Sequence, residues 1–388
     1  MDFKQSHAVV FSERAFSCWW CWMRRIDRVG DGRTRMDDAR RTFLDELLAV
    51  HSPTGHEAAA QRVWVEYVSQ YADRVETDAY GNAVAVAEGG APAVAFTGHA
   101  DEIGFAVAEI TEGGFVRIAP IGGLDASVTR GSQVRIETDD GPVNGVIGQA
   151  AVHLRDHSED GAAPSVTEQY VDIGAADGDD ARDRVSVGDP GVLVSEPREL
   201  AGGRLNARSL DNRTGLWVAA EGFRRAVERD VDATVYAVST VHEEIGTRGA
   251  RMVGFDLDVD AVVAADVTHA ADDPMYPAER ASTVALGDGP VVMRGGTNHP
   301  VVVSALRDAA ADAGASLQVA AHRISTGTDA DAFGTAGGGV PTADLGIPNR
   351  YMHTPAEVVD LADLAAGADV LAAFAAHAGD RDSFGVSV

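Results

Sequence analysis

The chain has 388 residues, 45% apolar and 24% charged, enough for two ordinary domains or one large enzyme fold with an insertion, and too apolar for wholesale disorder. It carries 32 basic against 60 acidic side chains, a formal net charge of −28, which excludes general binding to nucleic acid backbones. Lys4 is its only lysine, so phosphate loops of the Walker type, kinase chemistry and pyridoxal Schiff bases are excluded from the folded body.

Lysine depletion beside a large carboxylate excess is the pattern of a salt-adapted, cytoplasmic protein of haloarchaeal type, because carboxylates stay hydrated where salt screens their repulsion. Residues 1–35 depart from this pattern. They hold Lys4, both cysteines (Cys18, Cys21), three of the five tryptophans and a net charge of +3, leaving −31 for the remainder. No second cysteine pair follows to complete a zinc site, and the short, tryptophan-heavy apolar stretch is a poor secretory signal. This segment reads as a leader from a misassigned start, with the protein proper beginning at Met36. Expression from Met36 is expected to leave activity and assembly unchanged, as a comparison of both forms in peptide hydrolysis and light scattering checks.

Arg40-Arg41-Thr42-Phe43-Leu44 matches the core of a twin-arginine export signal, but Asp45 and Glu46 follow where an apolar segment is required. Phe43, Leu44, Leu47 and Leu48 instead share one face of an amphipathic helix. A turn at 52–55 and a helix over about 57–71 come next, then strand-like segments through Tyr80-Gly81-Asn82 and over 93–97. Between about 102 and 193 the texture changes to short alternating runs broken by Gly and Asp. "FVRIAPIGG", "SQVRIETDDGPVNGVIG" and "GDPGVLVSE" predict strands of a small β-barrel, with a hairpin turn at Asp140-Gly141. Beyond 200 the rhythm is helix 212–229, strand 233–241, strand 261–266, strand 341–347 and an alanine-rich helix over 362–377. The pattern predicts an α/β fold, an α/β/α sandwich interrupted by an inserted β-barrel domain. The catalytic domain is expected over 36–99 and 194–388, and the insert over 100–193. No stretch approaches the roughly 18 uninterrupted apolar residues of a membrane span.

Metal-ligating residue types recur at the carboxyl ends of these strands, the edge where ligand sites of open α/β sheets gather. "AVAFTG" runs into His99, with Asp101 two residues on; "ATVYAVSTV" runs into His242-Glu243-Glu244; "AVVAAD" ends on Asp266. Asp211 stands where a helix begins, and His353 follows the strand leading to Ile347. Oxygen and nitrogen donors without thiolate suit Zn, Co or Mn, and one carboxylate is left over as a general base. His242-Glu243-Glu244 lacks the second histidine of a zincin helix. Asn212-Arg213-Thr214 matches a glycosylation sequon at a helix start, where sugar is not expected.

Taken in order, "GHADEIGF", "SLDNRTG", "VHEEIGTRGA", "ADVTHA", "LGDGP", "GTDADAF" and "PNRYMHTPAEVVD" resemble the tetrahedral (TET) family of di-metal aminopeptidases, variously labelled glutamyl, leucyl or deblocking aminopeptidase or endoglucanase M. The resemblance covers roughly residues 37–378. It implies that His99, Asp266, Glu244 and His353 are terminal ligands of two divalent ions, zinc first and cobalt or manganese as alternatives. Asp211 would bridge the ions, Asp101 would orient the His99 imidazole, and Glu243 would be the general base toward a di-metal-bound water. It also implies that the β-barrel mediates dimerisation, with dimers building a tetrahedral dodecamer that acts on peptides and engages neither nucleic acid nor membrane. "GTNHP" at 296–300 departs from the family pattern and leaves His299 without an assigned role. Two other classes compete with this reading. A glycoside hydrolase would use Glu243 and Glu244, yet adjacent residues rarely place carboxyl groups across a sugar ring. A non-catalytic assembly protein would have no use for a full ligand set.

Overall fold

A computed structural model of the chain describes residues 36–154, 164–277, 280, 282–322 and 324–388. The expectations for the 1–35 leader, with Cys18 and Cys21, lie outside the described residues. The first described element is the helix Asp38–Ala49, capped by the Asp37 carboxylate, which accepts the Arg40 N–H. Phe43, Leu44, Leu47 and Leu48 are its buried residues, while Arg41 pairs with Asp45 and Glu199 on the outer side. The arginine pair therefore belongs to the polar face of a core helix.

Eight strands form the main sheet, in the order Arg74–Thr77, Ala83–Ala87, Thr234–Thr240, Ala93–His99, Ala261–His269, Thr342–Asn349, Val291–Gly295 and Gln318–His322. The four from Thr234–Thr240 to Thr342–Asn349 are parallel neighbours. They read as nearly continuous small and apolar runs because helices cover both faces. One face packs against Leu210–Glu228 and Leu361–Ala378 around Trp64, Phe96, Trp217, Phe223, Leu345 and Phe374. The other packs Ala95, Val238 and Val262 against Ala250, Ala332 and Phe333, from the helices Arg248–Asp256 and Asp329–Phe333. This is the α/β/α sandwich.

The inserted barrel closes in the order Gly104–Ile110, Phe115–Ile121, Tyr170–Asp172, Val143–Ile147, Gln133–Ile136, Pro190–Leu193. Phe105, Val107, Val116, Ile118, Val134, Ile136, Ile147 and Val171 fill its own core at alternating positions, the period a half-buried strand requires. Closure leaves no free edge to pair with another chain.

Two sequence expectations are corrected. Tyr80-Gly81-Asn82 is a turn between two strands: the Asp78 carboxylate accepts the N–H groups of Tyr80 and Asn82 at 2.8 and 3.0 Å, and Gly81 takes φ +93°, a region that favours glycine. The strand expected to stop at Asp266 continues to His269, because its pairing with Thr342–Asn349 runs on to His269↔Asn349. Helix Leu361–Ala378 is long and apolar enough by length and composition to cross a membrane. It packs instead against helices Leu210–Glu228 and Pro300–Asp312 and is a core helix of the sandwich.

Candidate metal centre

Sheet register assembles the site. Thr240 lies beside His99 in the parallel pair, so the chain leaving each strand turns into the same space. The Asp101 carboxylate ties the two exits together by accepting the N–H groups of Glu243 and Glu244 at 3.0 and 3.1 Å and the Thr54 hydroxyl at 2.8 Å. On the other side, Thr97 pairs with Ala264, which brings Asp266, two residues on, level with His99. Asp211 is presented by an irregular helix start, with Ser209 left-handed and Asp211 and Asn212 non-helical. Asn212 steadies that start by donating to Ala265 O at 3.0 Å and accepting the Gly215 N–H at 2.9 Å. Gly215 is required here, since a Cβ would stand 2.2 Å from Ala265 O. Asn212 is fully buried, so the sequon is closed to sugar in the folded chain.

The donors fall into two groups that share one carboxylate: His99, Asp211 and Asp266, and Asp211, Glu244 and His353, the ligand atoms of each group all lying within 4.8 Å of one another. His99 Nε2 is 3.3 Å from Asp211 Oδ1 and 3.7 Å from Asp266 Oδ1. His353 Nε2 is 3.3 Å from Asp211 Oδ2 and 3.8 Å from Glu244 Oε2. Ligands about 2.0–2.1 Å from a tetrahedral ion stand about 3.3–3.4 Å from each other, so the spacing fits two metal ions with Asp211 facing both. The chemistry fits as well. Glu244 Oε1 is buried without a partner, and four carboxylates (Asp211, Glu243, Glu244, Asp266) crowd two imidazoles, an excess of buried negative charge that cations balance.

The remaining ring nitrogens are held from behind. His99 Nδ1 is 3.2 Å from Asp101 O and 3.4 Å from its Oδ1, and His353 Nδ1 is 3.2 Å from Gly123 O. Burial opposes the His99 imidazolium, but Asp266 and hydrogen bonds to Asp101 and Asp211 outweigh it and raise its pKa well above the ordinary value. Burial and neighbouring carboxylates push Glu243 up to about 9. Its Oε2 is 3.9 Å from His99 Nε2, and it belongs to neither donor group.

All seven residues expected from the sequence are brought together. Others were passed over, although they stand inside quoted motifs. Glu357 is buried and accepts the N–H groups of His353 and Asp211 at 2.9 and 3.1 Å, fixing two donors at once. Asp329, in "GTDADAF", is buried and accepts the Thr240 hydroxyl, and burial pushes it up to about 7. Two arginines of the motifs, Arg213 and Arg350, are structural. Arg213 is fully buried and donates to Leu47 O, Ala100 O and Ser52 Oγ beside Glu102, and Arg350 pairs with Asp272 at 2.7 Å. His299 caps the start of helix Pro300–Asp312 with its backbone and lines neither donor group.

A family model described as M42 glutamyl aminopeptidase matches residues 81–370. The lysyl aminopeptidase of Pyrococcus furiosus is 34% identical over 83% of this chain and 92% of that protein. Among solved structures, an aminopeptidase from the archaeon Desulfurococcus kamchatkensis is 30% identical with a TM-score of 0.79, covering 88% of this chain and 96% of that one. The TET1 peptidase of Pyrococcus horikoshii, described as assembling into a tetrahedron or a large octahedral shell, is 25% identical with a TM-score of 0.77, covering 87% of this chain and 99% of that one.

Proposed function

Since the chain belongs to the M42 glutamyl aminopeptidase family and is an aminopeptidase by that membership, we propose that it removes N-terminal residues from peptides at this site, with Glu243 as general base. The observation that carries the proposal is the pair of donor groups sharing Asp211, with Glu243 outside both, on the wall of a cavity of about 1490 Å³. His99, Asp211 and Asp266 would hold one divalent ion and Asp211, Glu244 and His353 the other. When bound, two such ions, zinc first and cobalt or manganese as alternatives, polarise a carbonyl oxygen and lower the pKa of water. Glu243 takes the proton of the attacking water and returns it to the leaving amine. Asp101 and Glu357 keep the two histidines and the Glu243–Glu244 turn in place. A carboxylate-lined floor fits the free α-amine of a peptide and restricts cleavage to its end.

The test is hydrolysis of aminoacyl anilides by metal-loaded protein in molar salt, with N-acetylated anilides and cellulose as controls. Free aminoacyl anilides are expected to be cleaved and both controls left intact. Cleavage of cellulose and of no anilide would overturn the reading in favour of a glycoside hydrolase.

The same reading extends to assembly. Phe115, Val146 and Tyr170 are 45%, 40% and 44% exposed on the barrel, apolar surface that suits the dimer contact proposed for the 100–193 insert, with dimers completing a tetrahedral dodecamer in the cytoplasm. At −31 for the chain beyond residue 35, subunits repel one another unless counterions intervene. Light scattering across a salt series is expected to show large particles at molar salt and dissociation with loss of activity at low salt. A monomer throughout the series would sink both the assembly and the salt adaptation.

A further inference from the structure

Asp344 is a carboxylate in the middle of a strand whose eight residues are all buried. Its neighbours Ala343, Leu345 and Ile347 face the helix-packed core, so Asp344 and Gly346 face the opposite side, toward the cavity that Asp344 lines together with the metal donors. Burial of a carboxylate is unfavourable unless its oxygens find partners. One does: Oδ1 accepts from Asn298 Nδ2, while Asn298 Oδ1 accepts the Asp344 N–H at 3.1 Å and Asn298 Nδ2 also donates to Met293 O at 2.9 Å. The other oxygen, Oδ2, accepts no hydrogen bond among the described residues.

The position of Asp344 relative to the donors follows from register. Ala264 pairs with Asp344 and Asp266 with Gly346, so Asp344 lies one strand across and two residues back from Asp266 on the same face. Strand spacing of about 4.8 Å and a rise of about 3.3 Å per residue put their Cα atoms roughly 8 Å apart. Gly346 stands beside Asp266 without a side chain, and the Thr268 side chain covers it, 2.8 Å from where a Cβ would be. Beyond Asp344, Met293 and Ala320, in register on the next two strands, line the same cavity. Asp344 thus stands between the metal donors and an apolar wall, with one carboxylate oxygen unpartnered on the cavity. The arrangement matches a side chain with an aliphatic stem and a cationic head.

We propose that Asp344 is the specificity-determining residue of the cleft, and that its Oδ2 receives the ammonium or guanidinium group of a lysine or arginine at the N-terminal position of the peptide. The proposal rests on the aminopeptidase reading above. Two groups on the same cavity pull the other way. Arg251 and Arg280 are exposed and make no ion pair among the described residues, and alone they would favour an acidic first residue. Exposed charges are screened by water and salt, whereas a buried carboxylate acts through a low dielectric, so Asp344 decides. Asp331, also on the lining, is already engaged by the N–H groups of Thr326 and Gly327.

The test is a panel of lysyl, arginyl, leucyl and glutamyl anilides with the metal-loaded chain and its Asp344→Asn variant, which keeps shape and removes charge. The wild type is expected to show its highest kcat/KM on lysine and arginine, and Asp344→Asn to lower the lysine-to-leucine ratio roughly 10²-fold. A wild type that prefers glutamate, assigning control to Arg251 and Arg280, would overturn the proposal. So would one that prefers leucine, or a variant with an unchanged ratio. Should the variant fail to fold, the wild-type order still decides. Cleavage of leucyl anilide without preference for basic residues removes this inference alone; cleavage of no anilide removes the aminopeptidase reading and this inference with it.

Discussion

Glu243→Gln is expected to lower turnover roughly 10²–10⁴-fold, the usual range for a lost general base, while both metal ions stay bound. Glutamine keeps the size and shape of the side chain but cannot take a proton at neutral pH. Glu243 belongs to neither three-donor group, so its replacement removes no bond that holds an ion. Substrate affinity is therefore expected to persist. The neighbouring Glu244→Gln should fail differently, because Glu244 Oε2 stands 3.8 Å from His353 Nε2 within the second donor group. A weak neutral ligand then replaces an anionic one, metal content drops, and excess metal restores part of the activity. Elemental analysis of the purified variants, paired with peptide hydrolysis, separates the two. If Glu243→Gln loses metal while Glu244→Gln keeps it, the roles are exchanged.

Asp211→Asn is expected to have the largest effect on metal content, taking both sites down together. Its two carboxylate oxygens face different histidines at 3.3 Å each, so one side chain serves both donor groups. An asparagine presents one oxygen and one N–H donor, and the N–H points at a position that needs a lone pair. The fall in affinity should exceed the roughly 10–100-fold typical of losing a supporting hydrogen bond to a ligand, and added metal should not rescue turnover. The measurement is metal stoichiometry after dialysis against a graded chelator, with circular dichroism to verify that the sandwich is intact. Retention of one ion at near-native affinity would show that Asp211 belongs to a single site and bridges nothing.

The outline of the fold was legible because its signals are local. Phe43, Leu44, Leu47 and Leu48 declare a buried helix face by spacing alone, and the alternating runs of the insert declare barrel strands by their period of two. The two outer strands Val291–Gly295 and Gln318–His322 were not read, although they complete the sheet and form the wall beside Asp344. Short runs of mixed composition at a sheet margin carry little periodicity, and pairing with Thr342–Asn349 decides their state.

For the site, residue type and position near strand ends pointed to His99, Asp101, Asp211, His242, Glu243, Glu244, Asp266 and His353, since metal chemistry restricts which side chains can serve, and the family resemblance left His242 out and implied roles for the other seven. What lies behind and beside them was not legible. Glu357 and Asp329 stand inside quoted motifs, but only their burial and hydrogen bonds to His353, Asp211 and Thr240 show what they do. Asp344 is the clearest case. In "TADLGIPN" it reads as a polar interruption of an apolar strand, and the pairing of Ala264 with Asp344 turns it toward the cavity, on the same face as Asp266. The sequence by itself determined the kinds of atoms available and the periodicities that bury one face of each element. Only the tertiary structure shows which carboxylates stand within reach of a histidine, which support one from behind and which face open space, because parallel-sheet register joins residues far apart in the chain, and no local pattern encodes that register.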